Sequence, residues 1–124
     1  TMMLAVSSLP HTWILDLDGT LVEHNGYKIY GKDRILPGVK KFFEQIPSAD
    51  YVLILTARKE QYKAETERFL EENGLRFDKI LYGIPVGERI LINDRKPSGL
   101  EMGISINKAR DASCDLVINI DENL

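Results

Sequence analysis

The chain of 124 residues carries 16 Lys and Arg against 19 Asp and Glu, a formal net charge of −3, and 44% of its residues are hydrophobic. This is the length and balance of one folded domain rather than a disordered chain. The slightly acidic balance argues against nucleic-acid binding, and the absence of a run of about 18 apolar residues argues against a membrane span. The single cysteine excludes an internal disulfide and a cysteine-based zinc site, so we expect a cytoplasmic protein.

The first third of the chain predicts a tail, a strand, a loop and a helix. Residues 1–10 are weakly apolar and are predicted as an N-terminal tail. Residues 12–17 form an apolar run that ends before a glycine and predict a buried strand. Residues 21–36 are polar and contain two glycines, which predicts a short flap. Residues 37–46 open with Pro-Gly and place apolar side chains on one helical face.

The rest of the chain alternates between strand and helix patterns. Residues 51–56 are continuously apolar, as in a parallel strand that is covered on both faces. Residues 59–73 have helical periodicity and are followed by Gly74, a favourable residue after a helix. Further strands are predicted at 78–82, 89–93, 104–106 and 116–120, with a helical turn near 98–102. The alternation predicts a single α/β domain with a mainly parallel sheet, whose ligands bind at the carboxyl ends of the strands.

Acidic and polar side chains follow three of these predicted strands. Asp16 and Asp18 end the first strand, Thr56 ends the second, and Asp94 ends the strand at 89–93. In a parallel sheet these ends meet at one edge, and a hard divalent cation such as Mg²⁺ would relieve the repulsion between the acids. Each element has a plainer interpretation, since Asp-x-Asp-Gly also forms turns and Thr56 could cap a loop. The combination, in chain order, favours a site.

Three segments resemble motifs of the haloacid-dehalogenase-like (HAD) superfamily. They are Asp-Leu-Asp-Gly-Thr-Leu at 16–21 (resembling the first motif), Leu-Ile-Leu-Thr-Ala-Arg at 53–58 (the second) and Leu-Ile-Asn-Asp at 91–94 (the fourth), and the resemblance covers about residues 13–107. The family's third motif is a Lys or Arg upstream of the fourth. It implies a three-layer Rossmann-like core with a mainly parallel sheet and helices on both faces. The gaps after the first and second motifs are too short for a cap domain, so the chain resembles a small capless member with 21–36 as its flap.

The resemblance implies a magnesium-dependent phosphomonoester hydrolase that acts through an aspartyl phosphate. Asp16 would be the nucleophile and Asp18 the general acid and base. Asp16, Asp18 and Asp94 would bind the metal. Thr56, Ala57 and a cation of the third motif would bind the phosphoryl group.

The sequence departs from the family pattern in two places. Asn93 stands beside Asp94, where the family often has a second acid. The third-motif cation is either Arg89, which we prefer because it starts a predicted strand after a glycine turn, or Lys79.

Without a cap domain, the sequence says little about the substrate, for which a small phosphorylated metabolite such as a sugar phosphate is expected. The candidate substrate contacts are Thr20, His24, Arg58 and Lys96. Because the site is expected to be open to water, a homo-oligomer that closes it is also expected.

Two other classes of function remain open. The first is a non-catalytic module that binds phosphate or a protein partner, which Asn93 favours and the intact Asp16, Asp18 and Thr56 oppose. The second is a signalling receiver domain, which the order of the motifs fits poorly because the acidic pair flanks Leu17 and the second strand ends in Thr56.

Overall fold

The computed structural model describes all 124 residues and contains five strands and three α-helices. The helices are α1 (Gly26–Ile29), α2 (Val39–Gln45) and α3 (Lys63–Glu72), the last preceded by a 3-10 turn at Glu60–Tyr62. The strands are β1 (Met2–Val6), β2 (Thr12–Asp16), β3 (Tyr51–Leu55), β4 (Lys79–Leu81) and β5 (Leu116–Ile120). No helix has both the length and the apolar character needed to cross a bilayer.

The strands form two parallel sheets. One has the order β2-β3-β4 and the other pairs β1 with β5. The predicted α/β class and mainly parallel pairing are therefore confirmed, and so are the strands predicted at 12–17, 51–56, 78–82 and 116–120 and the helices predicted at 37–46 and 59–73, each within a few residues.

The core lies on one face of the three-stranded sheet. In the register of β2 and β3, Trp13 is opposite Val52 and Leu15 is opposite Ile54, and these side chains pack with apolar residues of α2 and α3. The other face is more open, since Ile14 is 48% exposed. The predicted arrangement of three layers with helices on both faces is thus not confirmed.

The prediction of an N-terminal tail is wrong for residues 2–6. They form β1, which pairs in register with β5 from Met2 opposite Leu116 to Val6 opposite Ile120. Methionine and alanine are weak strand formers, so the local sequence gave little sign of this strand. Its ladder depends on a partner more than a hundred residues away in the chain.

Two predicted strands, at 89–93 and 104–106, are also wrong, and the helical turn predicted near 98–102 is limited to a turn at Pro97–Ser98. The side chains of Ile90 and Ile92 are 83% and 91% exposed. Gly83 and Gly99, which both have positive φ, lie on either side of the stretch 89–93. An apolar run forms a strand only when a neighbouring strand pairs with its backbone hydrogen-bonding groups. Neither 89–93 nor 104–106 has such a neighbouring strand.

A buried carboxylate joins the amino ends of β2 and β3 to the turn after β1. Asp50 Oδ1 accepts a hydrogen bond from the backbone N–H of His11 (3.0 Å). Its Oδ2 accepts from the His11 ring Nδ1 and from the Trp13 indole, each at 2.8 Å. The second ring nitrogen of His11 lies 2.8 Å from the Ser7 carbonyl oxygen. Both ring nitrogens of His11 therefore lie within hydrogen-bond distance of an oxygen.

The free edge of β5 is satisfied by a side chain of α2. Gln45 donates from Nε2 to the carbonyl of Leu116 and accepts at Oε1 from the N–H of Ile118, both at 2.9 Å. These bonds replace the ones that a further strand would make and keep the two-stranded sheet against the core.

Candidate active site

Asp16 lies at the carboxyl end of β2, where the sequence predicts it, and both of its oxygens are engaged. Oδ2 accepts a hydrogen bond from the Thr20 hydroxyl and Oδ1 accepts one from Nη1 of Arg89, both at 2.8 Å. The Asp16 side chain is 38% exposed. Its carboxylate is therefore held in one orientation while remaining accessible to a ligand.

The loop after β2 is a compact turn that brings Thr20 back to Asp16. The N–H groups of Thr20, Leu21 and Val22 all donate to the carbonyl of Leu17, and Gly19 adopts φ +84°. That backbone conformation is open to glycine and strained for other residues. The Asp-x-Asp-Gly-Thr sequence therefore produces the turn that sets the Thr20 to Asp16 hydrogen bond.

Asp18 is bound by Arg58 rather than facing solvent. Its oxygens accept from Nε (3.1 Å) and Nη2 (2.8 Å) of Arg58, whose guanidinium also binds Asp33 in the flap. Burial by itself lowers the pKa of Arg58, but the hydrogen bonds and charges of Asp33 and Asp18 outweigh it and raise that pKa above its usual value. Arg58 is thus a permanently charged partner of both acids, and the prediction that it contacts substrate does not agree with this environment.

Thr56 and Ala57 follow β3, next along the same sheet edge. Thr56 is buried, and its hydroxyl oxygen accepts the backbone N–H of Arg58 at 3.1 Å, which leaves its O–H free to donate. Ala57 is exposed, and its backbone N–H makes no hydrogen bond within the chain. Both donors are of the kind that bind phosphoryl oxygens.

Of the two candidate third-motif cations, Arg89 contacts Asp16. Lys79 begins β4 opposite Leu53, in the middle of β3 and away from the carboxyl ends of the strands. The preference for Arg89 agrees with this geometry, although the strand expected to carry Arg89 does not form. The contact depends on the reach of the arginine side chain from an irregular segment.

The three acids predicted to bind a metal do not form one group. No set of three His, Cys, Asp or Glu side chains in the structure is arranged to hold a metal ion. Asp94 is exposed in the irregular segment after residue 83, so Asp16 and Asp18 lack the third carboxylate that the prediction gives them. As a ligand set, the residues present do not fit the expected magnesium site.

The remaining predicted substrate contacts differ in position. His24 lies beside the loop after β2, where its Cβ is 3.8 Å from the point that a Cβ on Gly19 would occupy. Lys96 is exposed in a turn closed by its own backbone bonds to Gly99 and Leu100, and the salt bridges of Asp16 and Asp18 are made with Arg89 and Arg58 instead.

The structure also brings to the site residues that had no predicted role. Asp33 in the flap binds Arg58, and the segment 108–111 packs on the loop after β2. The N–H of Asp111 donates to the carbonyl of Gly19 at 2.9 Å, and its carboxylate accepts the N–H of His24 at 2.8 Å. Lys108 Nζ is 3.4 Å from the same Gly19 carbonyl. Nothing in the local sequence predicted these long-range contacts.

A cleft of about 630 Å³ lies behind the flap, between Asp33–Leu36 and the end of α3, and does not include Asp16. The oriented carboxylate and the donors around it lie instead at the ends of β2 and β3, so we place the candidate site there.

The expected homo-oligomer stays a prediction. Comparisons with protein families, with curated proteins and with solved structures find no match for this chain.

Proposed function

We propose that this chain is a phosphomonoester hydrolase of the HAD-like type, with a three-layer Rossmann-like core and no cap domain, in which Asp16 is the nucleophile. The observation that carries the proposal is the accessible Asp16 carboxylate, fixed by Thr20 and Arg89 at a strand end. The substrate proposed is a small phosphorylated metabolite such as a sugar phosphate, in the cytoplasm.

In the first step, an oxygen of Asp16 attacks phosphorus and the bond to the substrate's alkoxide breaks, which leaves an aspartyl phosphate. A carboxylate needs no deprotonation for this attack at neutral pH. Arg89 and the N–H of Ala57 are available to the phosphoryl oxygens, and such donors stabilise the charge that develops there. The hydrogen bond from the Thr20 hydroxyl keeps the Asp16 carboxylate in its orientation.

In the second step, water attacks the phosphoryl group, and inorganic phosphate and the Asp16 carboxylate are released. Asp18 is the proposed acid towards the alkoxide and base towards this water. Both of its oxygens accept from Arg58, so its carboxylate is oriented as a proton acceptor, which supports the second of these roles.

Magnesium dependence is a separate part of the proposal. It rests on the resemblance alone, because the carboxylates near Asp16 do not form the expected ligand set. The steps above are therefore argued only through side chains and backbone groups of the chain.

The test is hydrolysis of an aryl phosphate and of a panel of sugar phosphates, nucleotides and phosphopeptides, each with magnesium and with EDTA. We expect turnover that the variant Asp16→Asn lowers at least about 10³-fold, as expected when a nucleophile is removed. The matched control is Asp115→Asn, an exposed acid before β5. Unchanged turnover in Asp16→Asn would remove Asp16 as nucleophile.

One observation favours the alternative of a phosphate-binding module without turnover, namely the separation of Asp94 from the other two acids. Calorimetric titration with inorganic phosphate distinguishes the two functions. Phosphate binding that Arg89→Ala abolishes, together with no hydrolysis on the whole panel, would support the module and contradict the enzyme.

A further inference from the structure

We propose that Arg58 is a positioning residue that fastens the flap to Asp18, and that it does not bind substrate. The Arg58 cluster consists of Arg58, Asp18, Asp33 and Thr66. It joins the loop after β3 to the loop after β2, to the flap and to α3. The effect of the Arg58 cluster on turnover rests on the proposed function, whereas the effect of the cluster on the position of the flap does not.

Every N–H donor of the Arg58 guanidinium is already used. Nε donates to Asp18 Oδ2 at 3.1 Å, and Nη2 donates to Asp18 Oδ1 at 2.8 Å and to Asp33 Oδ1 at 2.7 Å. Nη1 donates to Asp33 Oδ2 at 2.9 Å and to the Thr66 hydroxyl at 3.0 Å. An arginine has five such donors, so none is left for a phosphate oxygen.

The guanidinium is also covered on one face and buried at its edges. The ring of Tyr27, in α1 of the flap, has its centroid 4.0 Å from Arg58 Cζ. The side chains of Arg58, Asp33 and Asp18 are 2%, 7% and 20% exposed. A substrate could reach Arg58 only by displacing Tyr27 or one of the two acids. Ion pairs in such a dry setting are strong once formed and costly to break on one side.

The geometry of the cluster explains why an arginine is needed. Two parallel hydrogen bonds to each of two carboxylates require a planar fork with two usable edges, which a lysine ammonium does not offer. The pair with Asp18 fixes the plane of the carboxylate that would act on water. The pair with Asp33 fixes the flap, because Asp33 lies after α1 and near the flap's return to Ile35. Arg58 therefore orients the Asp18 carboxylate and also holds the flap beside it.

The first arm of the test uses hydrogen exchange in Asp33→Asn, with Glu23→Gln as control. Asn at 33 keeps one acceptor but turns an NH₂ group towards the guanidinium, so the flap loses its ion pair while Asp18 keeps its own. Glu23 is also a flap acid, and its side chain has only a 3.4 Å contact with Tyr30. We expect the α1 amides of Ile29 and Tyr30 to exchange at least tenfold faster in Asp33→Asn and within twofold of wild type in Glu23→Gln.

The second arm uses the kinetics of the phosphatase reaction. Asp33→Asn should raise KM at least fivefold and leave kcat within threefold, because it loosens the flap only. Arg58→Lys should lower kcat at least tenfold, because Asp18 loses its fixed plane. A substrate-binding Arg58 would instead give Arg58→Lys a raised KM with kcat retained, which would overturn the proposal.

The two arms separate failure of this inference from failure of the proposed function. If the wild-type chain hydrolyses no phosphomonoester, the exchange arm alone decides. Flap amides that exchange within twofold of wild type in Asp33→Asn would overturn the proposal whether or not the chain is an enzyme. A tenfold acceleration confined to that variant would support it in either case.

Discussion

The buried Asp50 carboxylate is predicted to be a main support of the amino ends of β2 and β3, and Asp50→Asn tests this. The carboxylate accepts three hydrogen bonds and its side chain is 1% exposed. In the variant, an amide oxygen can face the His11 ring and the Trp13 indole, and the NH₂ group then faces the N–H of His11. One bond is replaced by two opposed donors, and the other two lose the charge that strengthened them. Because hydrogen bonds to a charged group contribute about 1.5–3 kcal/mol each, we expect a loss of about 3 kcal/mol.

The pH dependence of that loss follows from the pKa of Asp50. Burial alone raises this pKa, but the His11 N–H, the Trp13 indole and the His11 ring together lower it below its usual value. The stabilisation is therefore complete above the unfolded pKa of about 4 and is lost as the pH falls through the lower folded pKa. The difference between wild type and variant should be full at pH 7 and shrink below about pH 4.

Urea unfolding followed by circular dichroism at pH 7, 5 and 3 measures both effects. Asp115→Asn, at an exposed position, should change the free energy of unfolding by less than about 0.5 kcal/mol. An Asp50→Asn variant as stable as this control at pH 7, or a difference that persists undiminished at pH 3, would refute the reasoning.

Two further predictions concern a backbone position and the third-motif cation. Gly38 has φ +84° and a Cβ there would lie 2.2 Å from the Cys114 carbonyl oxygen, so Gly38→Ala should lower the unfolding free energy by at least about 3 kcal/mol. Gly74→Ala, at φ +69° in open space, should cost only about 1 kcal/mol in the same urea assay, and equal effects would contradict the steric argument. If the chain is a phosphatase, Arg89→Ala should lower kcat/KM at least about 100-fold and Lys79→Ala less than about threefold. The opposite order in steady-state assays would assign the role to Lys79.

The sequence predicts best those elements whose formation depends on a local pattern. β3 is an apolar run with β-branched residues between turn signals, and α2 has a proline-glycine start and an apolar face, so both were found at nearly their observed bounds. β1 and the stretch 89–93 depend instead on whether a distant partner supplies backbone hydrogen bonds. β1 has such a partner in β5 although its composition is unfavourable, and 89–93 lacks one although its composition is favourable.

The candidate site divides in the same way. Thr20, expected from the sequence to contact substrate, instead donates to Asp16, which lies four residues earlier in the same turn, so this contact is local. Asp33 and Arg58 are 25 residues apart on different segments. In a sequence, a flap aspartate has the same appearance whether it is solvated or buried, so its pairing could not be predicted.

The two arginines at this sheet edge show how burial decides a role that residue type leaves open. Both were predicted to bind an anionic substrate. Arg58 is 2% exposed and all five of its donors are used, whereas the Arg89 side chain is 35% exposed and uses one nitrogen, for Asp16. A charge with free donors beside an accessible carboxylate can bind an arriving phosphate, and a charge enclosed by two acids can only orient them. Arg89 is therefore the arginine available to a ligand, and Arg58 acts through the residues that it holds.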